Sequence, residues 1–470
     1  MNIIDIQNVT TQRHDKIVFD NITWTLRPNE NWAIIGKTGA GKTSFIDFIM
    51  GKMTVLSGTK SFPFLEAKAE KEKGYFRLAE YVAVVRFNIS VINYKQFYYQ
   101  QRYYSSENEG VQTVRDFLKI SNEKIFNLLK INDLLGLELN KLSNGQTRKM
   151  YITKALLRQP QLLILDNPFL GLDVEARSIL QNIIEELITE GYQIMVICNN
   201  QQDIPTCISN VLLIDNFTLN ELNKDALNAH FMDENKSENN TSEFFLPSLP
   251  IPPIFTISDV INMKNVVIKY DNKIVLKTLN WQVKSGEKWA LLGENGSGKS
   301  TLLSLIFGDH PQAYANDIWV FDEKRGAGNS IWDIKKRIGF VSPELHLYFT
   351  KHITNFMLVT DGVAERADFA RHLFDYYGIT ALKKQDFQHT STGEQRLILL
   401  LKALAQNPEL LILDEPFQGM DKATIEKSQH LINAFCENRT LIIVTHYEHE
   451  IPLCVNRFLH LKDGKISIIK

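Results

Sequence analysis

Cysteine is scarce in this chain of 470 residues: Cys198, Cys207, Cys436 and Cys454 stand singly, with no CxxC pair. That scatter excludes a disulfide framework, a zinc ribbon and a four-cysteine iron–sulfur cluster. Long apolar runs are missing too, none approaching the roughly 18 residues of a membrane span. Charge of one sign is not in excess: Lys plus Arg number 52 and Asp plus Glu 54, a formal charge of −2. Such a balance supplies no global field for holding nucleic acid. The opening MNIIDIQNVTTQRHDK is polar where a signal peptide needs its apolar core, so no leader is expected. What is present, 44% hydrophobic and 23% charged residues, is the make-up of a cytoplasmic protein with two or three full-sized domains.

The chain is written twice. Residues 31–43 read NWAIIGKTGAGKT and residues 288–300 read KWALLGENGSGKS. LSNGQTRK and KALLRQPQLLILDNP in the first half return as TSTGEQRL and KALAQNPELLILDEP in the second. Lys42 and Lys299 lie 257 positions apart but Asp166 and Asp414 only 248, so the first copy carries the longer insert. The expected organisation is one domain over 1–230, a linker over 231–258 and a second domain over 259–470. DENKSENNTSEFFLPSLPIPP, within that linker, is polar and then proline-rich, which reads as a semi-rigid spacer. Within each copy, short apolar runs such as WAIIG, LLILD and YQIMVIC read as buried parallel strands separated by amphipathic helices. Alternating stretches ahead of the first glycine-rich loop, IIDIQNV and KIVFDNITWTL, predict a small antiparallel sheet, and the class is α/β.

Two phosphate loops fit G-x-x-x-x-G-K-[ST]. The first is Gly36, Lys37, Thr38, Gly39, Ala40, Gly41, Lys42 and Thr43. The second is Gly293, Glu294, Asn295, Gly296, Ser297, Gly298, Lys299 and Ser300, with Thr301 following. Glycines let backbone N–H groups converge on phosphate oxygens, and the helix that follows adds its dipole. Lys42 and Lys299 neutralise phosphate charge, while the Thr43 and Ser300 hydroxyls can ligate Mg²⁺. Asp166 and Asp414, at the ends of the two LLILD strands, can hold the same ion through water. Both halves are therefore expected to bind a nucleoside triphosphate.

LSNGQ at 142–146 and TSTGE at 390–394, each about twenty residues before LLILD, resemble the signature of ATP-binding-cassette ATPases. So do Asp173 in GLD, Asp421 in GMD and the strand LIIVTH ending at His446. The resemblance implies two tandem cassette domains, each a mainly parallel core with an antiparallel β-subdomain and a helical signature subdomain. It also implies head-to-tail pairing, each ATP lying between one cassette's phosphate loop and the other's signature. Ser143, Gly145 and Gln146 would then complete the second loop's site, and Ser391, Gly393 and Glu394 the first's.

Carried over residue by residue, the resemblance is lopsided. In the second half Glu415 stands where the carboxylate activates water, His446 where a histidine senses the γ-phosphate and Tyr270 where an aromatic stacks on adenine. With Lys299 these form the expected catalytic set. Their first-half counterparts are Asn167, Asn199 and Arg13. Asn cannot take a proton at neutral pH, and Arg13 could stack only as a guanidinium plane. Glu394 also replaces the usual signature glutamine. One hydrolytic site and one site that binds ATP with little or no turnover are expected.

Residues 308–349 resemble the duplicated cassette proteins of the molybdenum-transport ATP-binding group, also called photorepair proteins. Family transporters carry a glutamine after the strand that follows the phosphate loop, and here Pro343 and Glu344 stand there. Proline offers no side-chain hydrogen bond, so ordinary transporter coupling is in question. Three functions stay open: a tandem ATPase switching an unidentified protein partner, the ATP-binding subunit of an importer for molybdate or a similar anion, and a ribosome-acting factor. An importer would lie at the cytoplasmic face of a membrane beside separate spanning subunits. One chain carries both halves, so a monomer suffices for both sites. His310 and His346 read as satisfied loop histidines, and the aromatic stretch from Tyr94 to Tyr104 as helical packing rather than base stacking.

Overall fold

The computed structural model describes residues 1–13, 16–37, 39–73, 76–87, 112–139, 142–227, 246–252, 257–270, 273–326, 330–349 and 352–469. Thr38, the aromatic stretch from Tyr94 to Tyr104 and most of the expected linker lie outside them. The chain divides into two compact units, with described residues 1–87 and 112–227 in one and 246–469 in the other.

In the first unit the elements are β1 (Ile4–Arg13), β2 (Lys16–Leu26), β3 (Trp32–Ile35), α1 (Lys42–Ile49), β4 (Thr54–Ser61) and β5 (Val82–Arg86). They continue with α2 (Asn144–Leu156), β6 (Leu162–Asp166), α3 (Val174–Thr189), β7 (Ile194–Ile197), β8 (Asn210–Asp215) and β9 (Thr218–Asn223). Strands order as β5-β6-β7-β3-β8-β9, parallel except for the terminal β8–β9 hairpin, and a separate antiparallel sheet orders as β2-β1-β4. β3, β6 and β7 are buried at every residue, which is why they read as unbroken apolar runs.

The second unit repeats this plan with β10 (Asp259–Tyr270), β11 (Lys273–Lys284), β12 (Lys288–Leu292), α4 (Lys299–Phe307), β13 (Asp317–Val320), β14 (Glu323–Lys324) and β15 (Ile338–Val341). α5 (Thr392–Ala405), β16 (Leu410–Asp414), α6 (Lys422–Phe435), β17 (Thr440–Val444), β18 (Arg457–Lys462) and β19 (Lys465–Ile469) complete it. The sheet orders as β15-β16-β17-β12-β18-β19 beside an antiparallel β11-β10-β13-β14. The α/β class, the repeat and the antiparallel sheet expected from the sequence are all present.

A tryptophan pair braces each unit at the same place. Trp24 meets Trp32 edge-on at 5.5 Å, and Trp281 meets Trp289 edge-on at 5.7 Å. Each pair packs the antiparallel sheet against the strand that leads into the phosphate loop, so aromatic burial fixes where that loop emerges. Short helices, Val114–Leu118 and Glu123–Leu128 in one unit and Asn355–Thr360 and Ala367–Tyr376 in the other, precede α2 and α5 and pack against the core there.

Candidate functional site

Each phosphate loop runs from a buried strand into a helix whose N-cap glycine is left-handed: Gly41 at φ 107° before α1 and Gly298 at φ 108° before α4. The glycines are also demanded by close packing. A Cβ at Gly36 would sit 2.1 Å from the Ile214 carbonyl oxygen, and one at Gly293 would sit 2.3 Å from that of Leu461. The lysines are held alike. Lys299 Nζ donates to the carbonyls of Gly293 (2.6 Å) and Glu294 (2.9 Å), and Lys42 Nζ to those of Gly36 (2.5 Å) and Lys37 (2.9 Å). Both ammonium groups are buried within the turn of their own loop, while Thr43 and Ser300 are exposed at the helix start.

In the second unit the structure brings Lys299, Asp414, Glu415 and His446 together. β16 ends at Asp414, and Glu415 turns out of it with a left-handed backbone, φ 47°, its N–H donating to the Val444 carbonyl. A non-glycine residue held there is strained, and the strain aims the side chain. Glu415 Oε1 lies 2.9 Å from His446 Nε2, and Gln418 donates to Oε2 at 3.1 Å. Burial with Glu415 and Glu344 alongside lifts the Asp414 carboxyl well above the usual carboxylate range, against Lys299 and Arg396. Burial pushes Glu415 the same way, but His446, then Arg396 and Lys299, hold it below its ordinary value.

Arg396 was not singled out by sequence reasoning. It is buried on α5, and its Nε and Nη1 have no hydrogen-bond partner among the described residues. Glu415, Glu344 and Asp414 act on it electrostatically. Two further carboxylates beside Asp414 disfavour its ionisation in the absence of a cation, so this pocket fits a divalent cation that Ser300 and Asp414 would hold. A cleft of about 480 Å³ opens from these two residues toward Phe307, Phe340, Trp332 and Tyr348.

The first unit keeps the backbone and changes the chemistry. Asn167 is left-handed at φ 52°, its N–H on the Ile197 carbonyl, so it occupies the conformation of Glu415. Its amide donates to Asp166 Oδ1 at 3.0 Å. Strand register makes Asn199 the counterpart of His446. Opposite Asp166 across the β5–β6 pair stands Arg86, whose second-unit counterpart by register is Ser342. Arg86 Nη2 lies 2.5 Å from Asp47 Oδ1 on α1, and Arg86 Nε lies 3.6 Å from Asp166 Oδ2. Burial raises the Asp166 carboxyl, Arg86 and Lys42 oppose this, and Asp47 adds to it. Asp166 thus already faces a cation where an open metal ligand was expected. Neither Arg86 nor Asp47 was flagged in the sequence; the usable signal was their replacement by Ser342 and Ser304 in the repeat.

The signature residues form helix caps. Ser143 and Gln146 make a reciprocal capping box at the start of α2, with Ser143 N–H donating to Gln146 Oε1 at 2.9 Å. Ser391 and Glu394 do the same for α5, and there the Ser391 hydroxyl also donates to the Glu394 carboxylate at 2.7 Å. Gly145 and Gly393 lie in these first turns. Asp173 and Asp421 cap α3 and α6.

The two positions expected to stack on adenine each have a polar partner. The Tyr270 hydroxyl pairs with His310 Nε2 at 2.7 Å, and Arg13 points at Asp47 across 3.6 Å. Both histidines are satisfied: the Gln312 N–H donates to His310 Nδ1, and His346 Nδ1 meets the Pro343 carbonyl. Burial and Arg396 push His346 down to about 4. Among the described residues no cluster of three His, Cys, Asp or Glu is arranged around a metal, and no helix is long and apolar enough to cross a membrane.

Comparison with known proteins agrees with the repeat. The family model described as ABC transporter matches residues 19–170 and again 276–418. The chain is 31% identical, over 96% of both chains, to an uncharacterised ABC transporter ATP-binding protein of Schizosaccharomyces pombe. It is 30% identical to the ABC transporter ATP-binding protein ModF of Escherichia coli, over 94% of this chain and 93% of that one. Among solved structures, ABCE1 in a ribosome-bound archaeal complex with Pelota aligns at a TM-score of 0.64, covering 98% of this chain and 78% of that one at 16% identity. The RNase-L inhibitor aligns at 0.56, covering 98% and 89% at 17% identity. At such identities the structural likeness carries the fold alone.

Proposed function

This chain belongs to the ABC transporter family of ATP-binding proteins, and from that premise we propose that its two cassettes form unequal ATP sites, with hydrolysis concentrated at the second. A tandem ATPase of this family clasps each ATP between the phosphate loop of one half and the signature of the other. In that arrangement Lys299, Ser300, Asp414, Glu415 and His446 work with Ser143, Gly145 and Gln146. Lys42, Thr43, Asp166, Asn167 and Asn199 work with Ser391, Gly393 and Glu394.

One observation carries the reading: Glu415 and Asn167 share a strained backbone conformation at the end of equivalent strands, and only Glu415 carries a base. At the second site the loop glycines and Lys299 bind the phosphates, and Ser300 and Asp414 hold Mg²⁺. The ion, when bound, neutralises charge on the terminal phosphate. Glu415 orients a water and takes its proton during attack, and His446 fixes the Glu415 carboxylate for that transfer. A base held ionised below its ordinary range accepts the proton only transiently, which suits a step whose proton passes on to the product phosphate. At the first site Asn167 orients water without accepting a proton, and the Glu394 carboxylate of the facing signature opposes phosphate charge. Slow or absent turnover follows.

Closure over ATP and opening after hydrolysis would act on a protein partner. Pro343 and Glu344, where transporters of the family carry a glutamine, favour a partner other than the usual membrane subunit. Molybdate import enters only as a second reading, through the group to which ModF belongs, and a ribosomal partner as a third. Phosphate release by the intact chain and by Glu415→Gln tests the central claim, because turnover near the wild-type rate in the variant overturns it. Capture by Glu415→Gln in ATP, from membranes and from ribosomes separately, sorts the partners.

A further inference from the structure

The first half's pocket does not fit the magnesium ion that its loop sequence implies. A metal there would rest on Thr43 and Asp166. Arg86, in register with Asp166 on the neighbouring strand, already directs its guanidinium at that carboxylate, with Nε 3.6 Å from Oδ2. Its other end is pinned by Asp47, at 2.5 Å, on the helix that the phosphate loop opens. Asp47 in turn gathers Arg13 at 3.6 Å and Lys52 at 3.4 Å. Both carboxylates are buried and the guanidinium is three-quarters buried, so water screens these charges weakly.

The second half shows what the same fold looks like without this device. Ser342 stands in register at the place of Arg86, and Ser304 at that of Asp47. Ser304 turns its hydroxyl back onto its own helix, to the Thr301 carbonyl. Asp414 has two further carboxylates alongside, Glu415 and Glu344, set against Lys299 and Arg396, and no arginine opposite it in strand register. A divalent cation relieves that carboxylate cluster, whereas beside Asp166, with Asp47 the one further carboxylate, it would be set against a guanidinium in register with its own ligand.

We propose that the first half binds ATP without a divalent metal, the Arg86 guanidinium, held by Asp47 and Asp166, supplying the positive charge that magnesium supplies in the second half. The proposal rests on the reading that the Lys42 loop binds ATP. It gives that site a role distinct from a worn copy of the other: a nucleotide clamp insensitive to magnesium and, lacking metal and base, unable to hydrolyse what it holds.

Equilibrium binding of radiolabelled ATP to the full chain carrying Lys299→Ala isolates the first site. The expected dissociation constant changes less than roughly threefold between magnesium and excess EDTA. Electron paramagnetic resonance of Mn²⁺ added with ATP to the unmodified chain should count one bound ion per chain. In the Asp47→Ser, Arg86→Ser double variant, which installs the second half's residues, two ions are expected and binding at the first site becomes metal-dependent by tenfold or more. ATP binding at the first site that collapses in EDTA, or two ions in the unmodified chain, overturns the proposal while leaving the Lys42 loop a nucleotide site. No ATP at that site with or without metal overturns both. These measurements need no substitution at Arg86, so a double variant that fails to fold leaves the proposal open to refutation.

Discussion

The two halves agree in strand order of the main sheet down to the final hairpin, in their tryptophan braces and in the left-handed glycine that opens each phosphate-loop helix, yet around the lysine and aspartate they share they differ at four places: Asn167 against Glu415, Asn199 against His446, Arg86 against Ser342 and Asp47 against Ser304. Around Asp414 stand two further carboxylates, two fixed cations and a histidine. Around Asp166 stand an arginine, a lysine, one further carboxylate and an asparagine. Backbone requirements come from sterics and hydrogen bonding, which any sequence in this fold must meet. Charge requirements come from chemistry, and under the proposed function only the second half has to meet those of hydrolysis. The contrast separates what the fold demands from what turnover demands.

The strongest challenge to that separation is the base. Glu415→Gln should lower the steady-state rate of phosphate release by about 10²-fold or more. Asn167→Glu, placed in the Lys299→Ala chain, should stay at the background rate, because Asn199 and Arg86 remain unsuited. If that single change restores turnover, the halves differ by one residue and the charge argument collapses. Next come the lysines. Lys299→Ala should abolish turnover, and Lys42→Ala should leave it within roughly tenfold of wild type, as judged by kcat and KM for ATP.

Where the fold alone is at stake, both halves should respond. Gly36→Ala and Gly293→Ala each drive a Cβ into a backbone carbonyl, and each should cost about 2–4 kcal/mol by denaturant unfolding, Gly293→Ala the more because its φ of 150° is one that alanine rarely adopts. A larger loss from Gly36→Ala would show that the two loops are not packed as described.

The smallest effect concerns pH. Burial raises the Asp203 carboxyl from 3.8 to about 6 despite its ion pair with Arg177. An acid with a raised folded-state value favours folding most when protonated. Its contribution is therefore full below pH 3.8 and is lost as pH rises through about 6. Relative to Asp203→Asn, the wild type should lose up to about 3 kcal/mol across that window in thermal or chemical unfolding. The second half has Glu450 at this place, joined to the Thr445 hydroxyl, so Glu450→Gln should not show the same ion-pair signature.

Much of the site was legible because phosphate binding needs glycines at fixed spacing, and such patterns survive as strings. Gly36, Lys42, Asp166 and their repeats were found that way, as were Glu415 and His446 once the family pattern was recognised. The ion cluster of Arg13, Asp47, Arg86 and Asp166 was not legible. Its members come from β1, α1, β5 and β6, and their charges mean nothing until four elements bring them together. Arg396 escaped for a related reason, since an arginine in a helix reads as a solvated face until burial is known. The Tyr270–His310 pair likewise joins residues forty positions apart that were read separately.

The sequence by itself determined the duplication, the α/β class, the two phosphate-loop patterns and the placing of Glu415 in one half against Asn167 in the other, because each is a local or repeated pattern. Tertiary structure alone decided which charges face one another: it set Arg86 against Asp166, buried Arg396 beside Asp414 and gave Glu415 its histidine. Electrostatic energy depends on distance and burial, and neither quantity is written along a chain.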